Sequence, residues 1–258
     1  TMIGRSWFHT FCGWLCFLPY CIGPDQWRTW HNHWHHRNTS LTTLDPDSWG
    51  SIASYWRRSD YRFVEKLSPG SGCWQSIPYL FYWFSAQGFL VMVLFSRLLH
   101  FWEPNERRKV WFQVLSGVAF WIGLFAVVGW NSFLWIYILP MLLANFIQMS
   151  YIATNHLLMP ETKSANDPLI NSLTVSTIKI LDIFHLNFSH HTEHHVCPAM
   201  SGKYAPAMKQ ILKEKYPERY KELPHWKAVK KLYDAPKLHW NERHFVNPRT
   251  GGIFEAIY

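Results

Sequence analysis

The chain has 258 residues, a formal net charge of +8 and an unremarkable mean hydropathy of -0.13, yet it holds 16 Trp, 18 Phe and 12 Tyr. Strongly apolar stretches must therefore alternate with charged ones, which excludes an ordinary soluble globule of even composition. The Lys and Arg lie beside apolar runs and in the C-terminal part, with no zinc-finger or RNA-binding motif, so the charge fits anionic lipid heads or an acidic protein partner and not nucleic acid.

From the N-terminus, residues 6–22 are apolar and Trp-rich, interrupted by Pro19 and slightly short for a bilayer crossing, so they predict an interfacial or re-entrant helix. The chain opens on Thr1 inside a pattern, with no signal peptide to judge, and is expected to be a fragment. Gly23, Pro24 and Asp25 form a helix-start signal. The helix that follows carries His31, His33, His35 and His36 and is expected to end near Asn38, ahead of a polar loop holding Asp45 and Asp47. Residues 53–68 read as charged and solvated, and Pro69 to Gly72 as a turn.

Three apolar runs come next, at about 77–102, 110–129 and 132–154. No Asp, Glu, Lys or Arg occurs from Val110 to Asn155, a length that allows two crossings of about 20 residues each. Arg57, Arg58 and Arg62 precede the first run, and Arg97, Arg107, Arg108 and Lys109 lie at its end, so the positive-inside rule puts both its ends on the cytoplasmic side. The expectation is that 77–102 is interfacial or re-entrant, and that 110–154 is a transmembrane helical hairpin turning at Gly129 to Ser132. Asn145 and His156 share a stripe of the last span, with Gln148 near it, and polar residues in a span face a bundle or cavity. Residues 160–258 read as a cytoplasmic helical cap with a basic tail at 203–233, either a solvated face or a docking face for an acidic electron carrier. The fold class expected is an all-α integral membrane protein.

Nine of the fifteen histidines fall in two short windows, 31–36 and 185–195. Imidazole binds iron, zinc and copper through nitrogen. On a helix, His191, His194 and His195 stand at i, i+3 and i+4 and share one face, with Asn187 on the same side. In the first window His31 and His35 align on an ideal helix while His36 turns about 100° away. Either the helix distorts or two metals are approached from different directions, and His33 could replace one of the three. The five cysteines lack zinc-type CxxC spacing and read as small apolar residues in a reducing compartment; Cys197 alone follows a histidine box closely.

The H-x3-H-H of residues 31–36, the H-x2-H-H of 191–195 and the phrase from Phe184 to Pro198 resemble the integral-membrane fatty acid desaturase and hydroxylase superfamily, most closely its bacterial acyl desaturases. The resemblance covers the whole chain as one domain. It implies two iron ions, O2 as co-substrate, and ligands at His31, His35, His36, His156, His191, His194 and His195. Asn155 or Asn187 would hold a metal-bound water, Glu193 and Asp182 would orient imidazoles, His33 would stand behind the ligands or replace one, and His185 and His190 read as residues behind the ligands or as core histidines. The implied substrate is a fatty acyl lipid, acyl-CoA or acyl carrier, with electrons from a separate ferredoxin or small cytochrome. The family's first box, HxxxH, has no counterpart in residues 1–30, so two ligands and two membrane helices are expected before Thr1. The rival outcomes are a hydroxylase or carotenoid-type oxygenase with the same metal chemistry, and a non-catalytic zinc or haem-binding membrane protein.

Overall fold

The computed structural model describes residues 7–41, 44–89, 102–162 and 166–257. In chain order the helices are α1 (Trp7–Phe17), α2 (Pro24–Trp27), a π-helix (Arg28–His35), α3 (His36–Asn38), α4 (Ile52–Arg57), α5 (Ser59–Leu67), α6 (Tyr79–Ala86), α7 (Pro104–Phe133) and α8 (Leu139–His156). After α9 (Pro168–Asn171) come β1 (Thr174–Ser176), α10 (Lys179–Phe184), α11 (His191–Val196), α12 (Ala205–Lys215), β2 (Glu222–Pro224) and α13 (His225–Asp234). Three strands close the chain: β3 (Leu238–Asn241), β4 (His244–Val246) and β5 (Ile253–Glu255). It is mostly helical, as expected, but holds five short strands that a purely helical reading did not contain. Contacts divide it into two compact units, one of Thr1–Trp34 with Leu80–Met149, the other of His35–Tyr79 with Ser150–Tyr258.

In the first unit, Gly23 caps α2 and its N–H is taken by Gln26 Oε1 at 3.2 Å. Gln113 of α7 clamps the same turn, donating to Asp25 Oδ2 at 2.8 Å and accepting from the Asp25 N–H at 3.2 Å. Phe84 packs against Tyr20, Trp27 and Trp30 with ring centroids 4.8, 5.5 and 6.3 Å away. Helix α7 begins at Pro104 behind Glu103, whose N–H Glu106 accepts at 3.1 Å.

Gly129 interrupts α7 with φ 72° and ψ 174°, a conformation that glycine alone adopts cheaply. The Trp121 and Tyr137 rings stack at 3.9 Å, and Phe125 meets Phe133 at 5.2 Å. On one continuous helix residues 121 and 137 would be about 24 Å apart, so the chain reverses at Gly129. Pro104–His156 is long and apolar enough to cross a membrane, and among the described residues no other stretch passes that test. Phe112, Ile122, Val127, Trp130, Trp135 and Leu143 are all exposed, an apolar surface that water alone does not favour. Of the first apolar run, residues 77–89, which include α6, and Trp102 are described. Residues 90–101, including Arg97 and His100, lie outside the described residues, so the re-entrant expectation for 77–102 rests on its sequence.

In the second unit β1 pairs in parallel with β2, and β3, β4 and β5 form an antiparallel sheet. One small core joins Leu169, Leu212 and Tyr220; another joins Tyr55, Leu238 and Val246. In residues 53–68 the cations Arg57, Arg58, Arg62 and Lys66 are exposed, as their charge suggested, but one face of the stretch is not. Tyr55, Tyr61 and Glu65 are buried, and the Glu65 carboxylate is paired with the Arg249 guanidinium, which also donates to Ser71 O at 2.7 Å. An ion pair with a distant residue hides a charge that composition places at the surface. The basic tail is two helices, α12 and α13, separated by β2. Its cations are partly spent within the fold: Lys209 and Lys213 both reach Glu222 (2.5 and 2.6 Å), Arg219 pairs with Asp167, and Lys230 with Asp234 (2.6 Å).

Candidate metal centre

Two folding decisions bring the second unit's histidines together. The helix of the first box does distort: Arg28–His35 is a π-helix, whose i→i+5 bonding changes which side chains share a face, and α3 resumes at His36. The second box opens α11, and Glu193 inside it ties the helix down. The buried Glu193 carboxylate accepts from Thr174 Oγ1 at 2.7 Å and from Tyr220 OH at 2.5 Å, with His190 Nδ1 at 3.7 Å. Burial alone would raise its pKa, but the bonds from His190, Tyr220 and Thr174 outweigh that and hold it lowered, as a carboxylate. Thr192 adds a bond from its hydroxyl to Ser172 O at 3.2 Å.

The ring nitrogens converge. His156 Nε2 lies 3.2 Å from His35 Nε2 and 2.6 Å from His191 Nε2, and His191 Nε2 lies 3.1 Å from His195 Nε2. A second close pair, His36 Nε2 and His194 Nε2, stands 3.1 Å apart. The His36 and His195 rings, with centroids 4.5 Å apart, join the two groups.

Three of the opposite nitrogens face oxygen. His35 Nδ1 donates to Asp45 Oδ1 at 2.9 Å and lies 3.3 Å from Asp47 Oδ2; His195 Nδ1 faces Thr39 Oγ1 and His156 Nδ1 faces Asn171 O, each at 3.4 Å. In a neutral imidazole, an Nδ1–H committed to oxygen turns the Nε2 lone pair to the opposite side. Several such lone pairs within about 3 Å of one another repel, unless a proton or a metal ion lies among them. With metal–nitrogen bonds of about 2.1 Å, neighbouring ligands are about 3 Å apart, so the residues fit a metal. The donor atoms of His35, His156 and His195 all lie within 4.8 Å of one another, and all three residues are buried.

Electrostatics separates these imidazoles. Burial pulls the His35 pKa down, but Asp45 and Asp47 outweigh it and raise it to about 9. Burial, then His35 and His194, lower His36 to about 3; burial, then His35, lower His194 to about 4; His195 is lowered well below its usual value by burial and the surrounding imidazoles. The raised group stabilises the metal-free fold fully below pH 6.5, and that contribution fades as pH rises towards 9. The depressed groups stay neutral while their unfolded counterparts take up protons below pH 6.5, so they destabilise the fold in acid. At pH 5 the cost is about 2 kcal/mol for each of His36 and His194. Thermal unfolding of the metal-free protein should therefore show a maximum near neutrality and a marked loss by pH 5. Because metal must displace the His35 proton, affinity should rise about tenfold per pH unit from 7 to 9 in a metal titration.

The other sequence candidates stand as follows. Asn155 is fully buried, and neither its amide nitrogen nor its oxygen has a hydrogen-bond partner, as expected of a side chain waiting for a water or ligand. His31 and His33 belong to the first unit, where the His31 ring stacks on Trp27 at 4.3 Å and His33 lies edge-on to Trp34 at 5.8 Å. Asn187 is corrected: it is not on the α11 face but in the turn before it, with φ 59°, and donates to Gly202 O at 3.0 Å. Asp182 accepts from Ser189 Oγ at 2.5 Å and so supports that same turn instead of an imidazole. His185 pairs with Tyr151 OH at 2.9 Å. Sequence reasoning missed Asp45, Asp47, Thr39 and Asn171 as the oxygens behind the rings. An Asp-x-Asp just beyond a histidine box is the available signal for the first two.

A comparison with curated proteins finds no match. A family model described as fatty acid desaturase matches residues 2–227, a span that takes in both histidine boxes and His156. With histidine groups able to hold a metal and a match over most of its length, the chain belongs to the fatty acid desaturase family.

Proposed function

We propose that this chain is a membrane enzyme that inserts a double bond into a fatty acyl chain, using O2 and electrons from a separate small redox protein. The observation that carries the reading is the convergence of Nε2 atoms from His35, His156, His191 and His195, with His36 and His194 beside them. His31 joins the ligand set by its place in the first box. Iron bound there supplies O2 activation, which removes hydrogens from a saturated chain that acid–base groups cannot touch.

The protein's own work is positioning and proton control. Asp45 and Asp47 fix the tautomer of His35 and strengthen it as a donor; Thr39 and Asn171 do the same, more weakly, for His195 and His156. Asn155 holds a water beside the centre. The reversal at Gly129 supports a two-span hairpin, with His156 at its exit on the cytoplasmic side and Lys109 and Arg108 at its start.

The test is expression of the full-length gene and mass spectrometry of the host's fatty acids. New alkenes that disappear with His156→Ala support a desaturase. New alcohols would assign the same centre to hydroxylation, and an unchanged profile from an iron-loaded protein supplied with electrons would end the reading.

A further inference from the structure

Tyr151 stands in the last two turns of α8, ahead of His156, and its side chain is buried. Its hydroxyl is 2.9 Å from His185 Nδ1, a ring nitrogen able to act as a base in the neutral imidazole. On the inner side its ring meets Phe188 edge-on at 5.7 Å, and Phe188 meets His191 edge-on at 5.9 Å, both within the range that aromatic pairs prefer. His191 Nε2 is one of the converging nitrogens, so a single aromatic residue separates Tyr151 from the metal-facing rings. On the outer side Tyr151 stacks on His225 at 4.4 Å, with 9° between the ring planes.

A phenylalanine at this position would make the same ring contacts; what the hydroxyl adds is a proton held against a base. A phenol gives up an electron readily only when its proton leaves in the same step, because the phenol radical cation is a strong acid. The stacked His225 does not oppose that loss. Its Nε2 donates to Ser150 O at 3.1 Å, and burial above all lowers its pKa, so the ring is neutral at pH 7 and places no positive charge on the phenol. Tyr220 also gives its hydroxyl to a base, the Glu193 carboxylate, but its ring packs in the small core with Leu169 and Leu212. Tyr151 combines a proton acceptor with a short run of rings to the centre.

The geometry points to Tyr151 as a redox-active side chain: when O2 is reduced at the centre with no acyl chain in place, Tyr151 gives one electron to the O2-derived oxidant and its phenolic proton to His185 Nδ1. The oxidant gains one electron, the O–H bond of Tyr151 breaks, and a neutral tyrosyl radical is left beside an imidazolium. One electron from the separate redox protein, with return of the proton, restores both side chains. An oxidising equivalent that has no C–H bond to attack is thereby drawn away from the ligand histidines. The proposal rests on the desaturase reading for its oxidant.

The full-length protein, loaded with iron and reduced, is mixed with O2 without acyl substrate, frozen at intervals and measured by electron paramagnetic resonance, with O2 uptake and iron content followed on the same samples. A tyrosyl radical is expected, its spectrum narrowing in protein made with ring-deuterated tyrosine, and Tyr151→Phe should lack it. His185→Gln, which keeps a hydrogen bond but takes up no proton, should slow its formation about 100-fold. After repeated exposure to O2, mass spectrometry should find more oxidised histidine in Tyr151→Phe than in the wild type. O2 uptake by the wild type with no tyrosyl radical, or the same radical in Tyr151→Phe, would overturn the proposal and leave the desaturase reading standing. Iron lost from Tyr151→Phe would make the residue a support of the centre and would overturn it too. No O2 uptake by the iron-loaded, reduced protein would end the desaturase reading itself, and the proposal with it.

Discussion

His156→Ala is expected to abolish iron binding and all turnover. His156 stands in the middle of the cluster, its Nε2 3.2 Å from His35 Nε2 and 2.6 Å from His191 Nε2, so its removal takes away the ring nitrogen that both neighbours face. Loss of a partner behind a ligand typically costs about 10–100-fold in affinity, and loss of the ligand itself should cost more. His156→Gln, which keeps bulk and polarity, guards against a trivial folding defect: both variants should unfold near the wild-type metal-free temperature while retaining little iron by elemental analysis. Full iron content in either variant would remove His156 from the centre.

The second large effect is expected at Asp45. This buried carboxylate is itself pinned, accepting from the Ser40 N–H at 2.8 Å and the Asp47 N–H at 2.9 Å, and it presents Oδ1 to His35. Asp45→Asn keeps the shape and removes one of the two charges, the other being Asp47, that raise the pKa of His35 against its burial. Iron affinity should fall about 10–100-fold. The rise of affinity between pH 7 and 9 should become shallower, since the imidazole, left with Asp47 alone, would hold its proton less tightly. A metal titration at several pH values reads both effects. An unchanged slope would mean that Asp45 does not set the protonation of His35.

The sequence made the histidines legible because their chemistry is local. Three imidazoles at i, i+3 and i+4 announce a shared face wherever α11 is placed, and Pro24 after Gly23 marks a helix start without reference to the rest of the chain. Gly129 was legible for the same reason, since it lies in an uncharged turn between two apolar runs. What escaped was set by distant partners. Asp45 reads as one more loop acid until the fold puts His35 against it, and Glu65 reads as solvated until Arg249, far along the chain, covers it. Asn187 was placed by extending helical periodicity backwards across a residue that adopts positive φ. The strands β3, β4 and β5 are three or four residues long, too short for an alternating pattern to stand out. A distortion of the first-box helix was one of two ways to reconcile His36 with its neighbours, and its form, a π-helix, was not legible.

The most direct measurement is X-ray absorption at the iron edge on the purified, iron-loaded protein, with metal content determined on the same sample. The account predicts two irons per chain in an imidazole-rich shell, with that shell losing intensity in His195→Ala. Zinc or haem in place of iron, or an iron shell without imidazole that His195→Ala leaves unchanged, would contradict it.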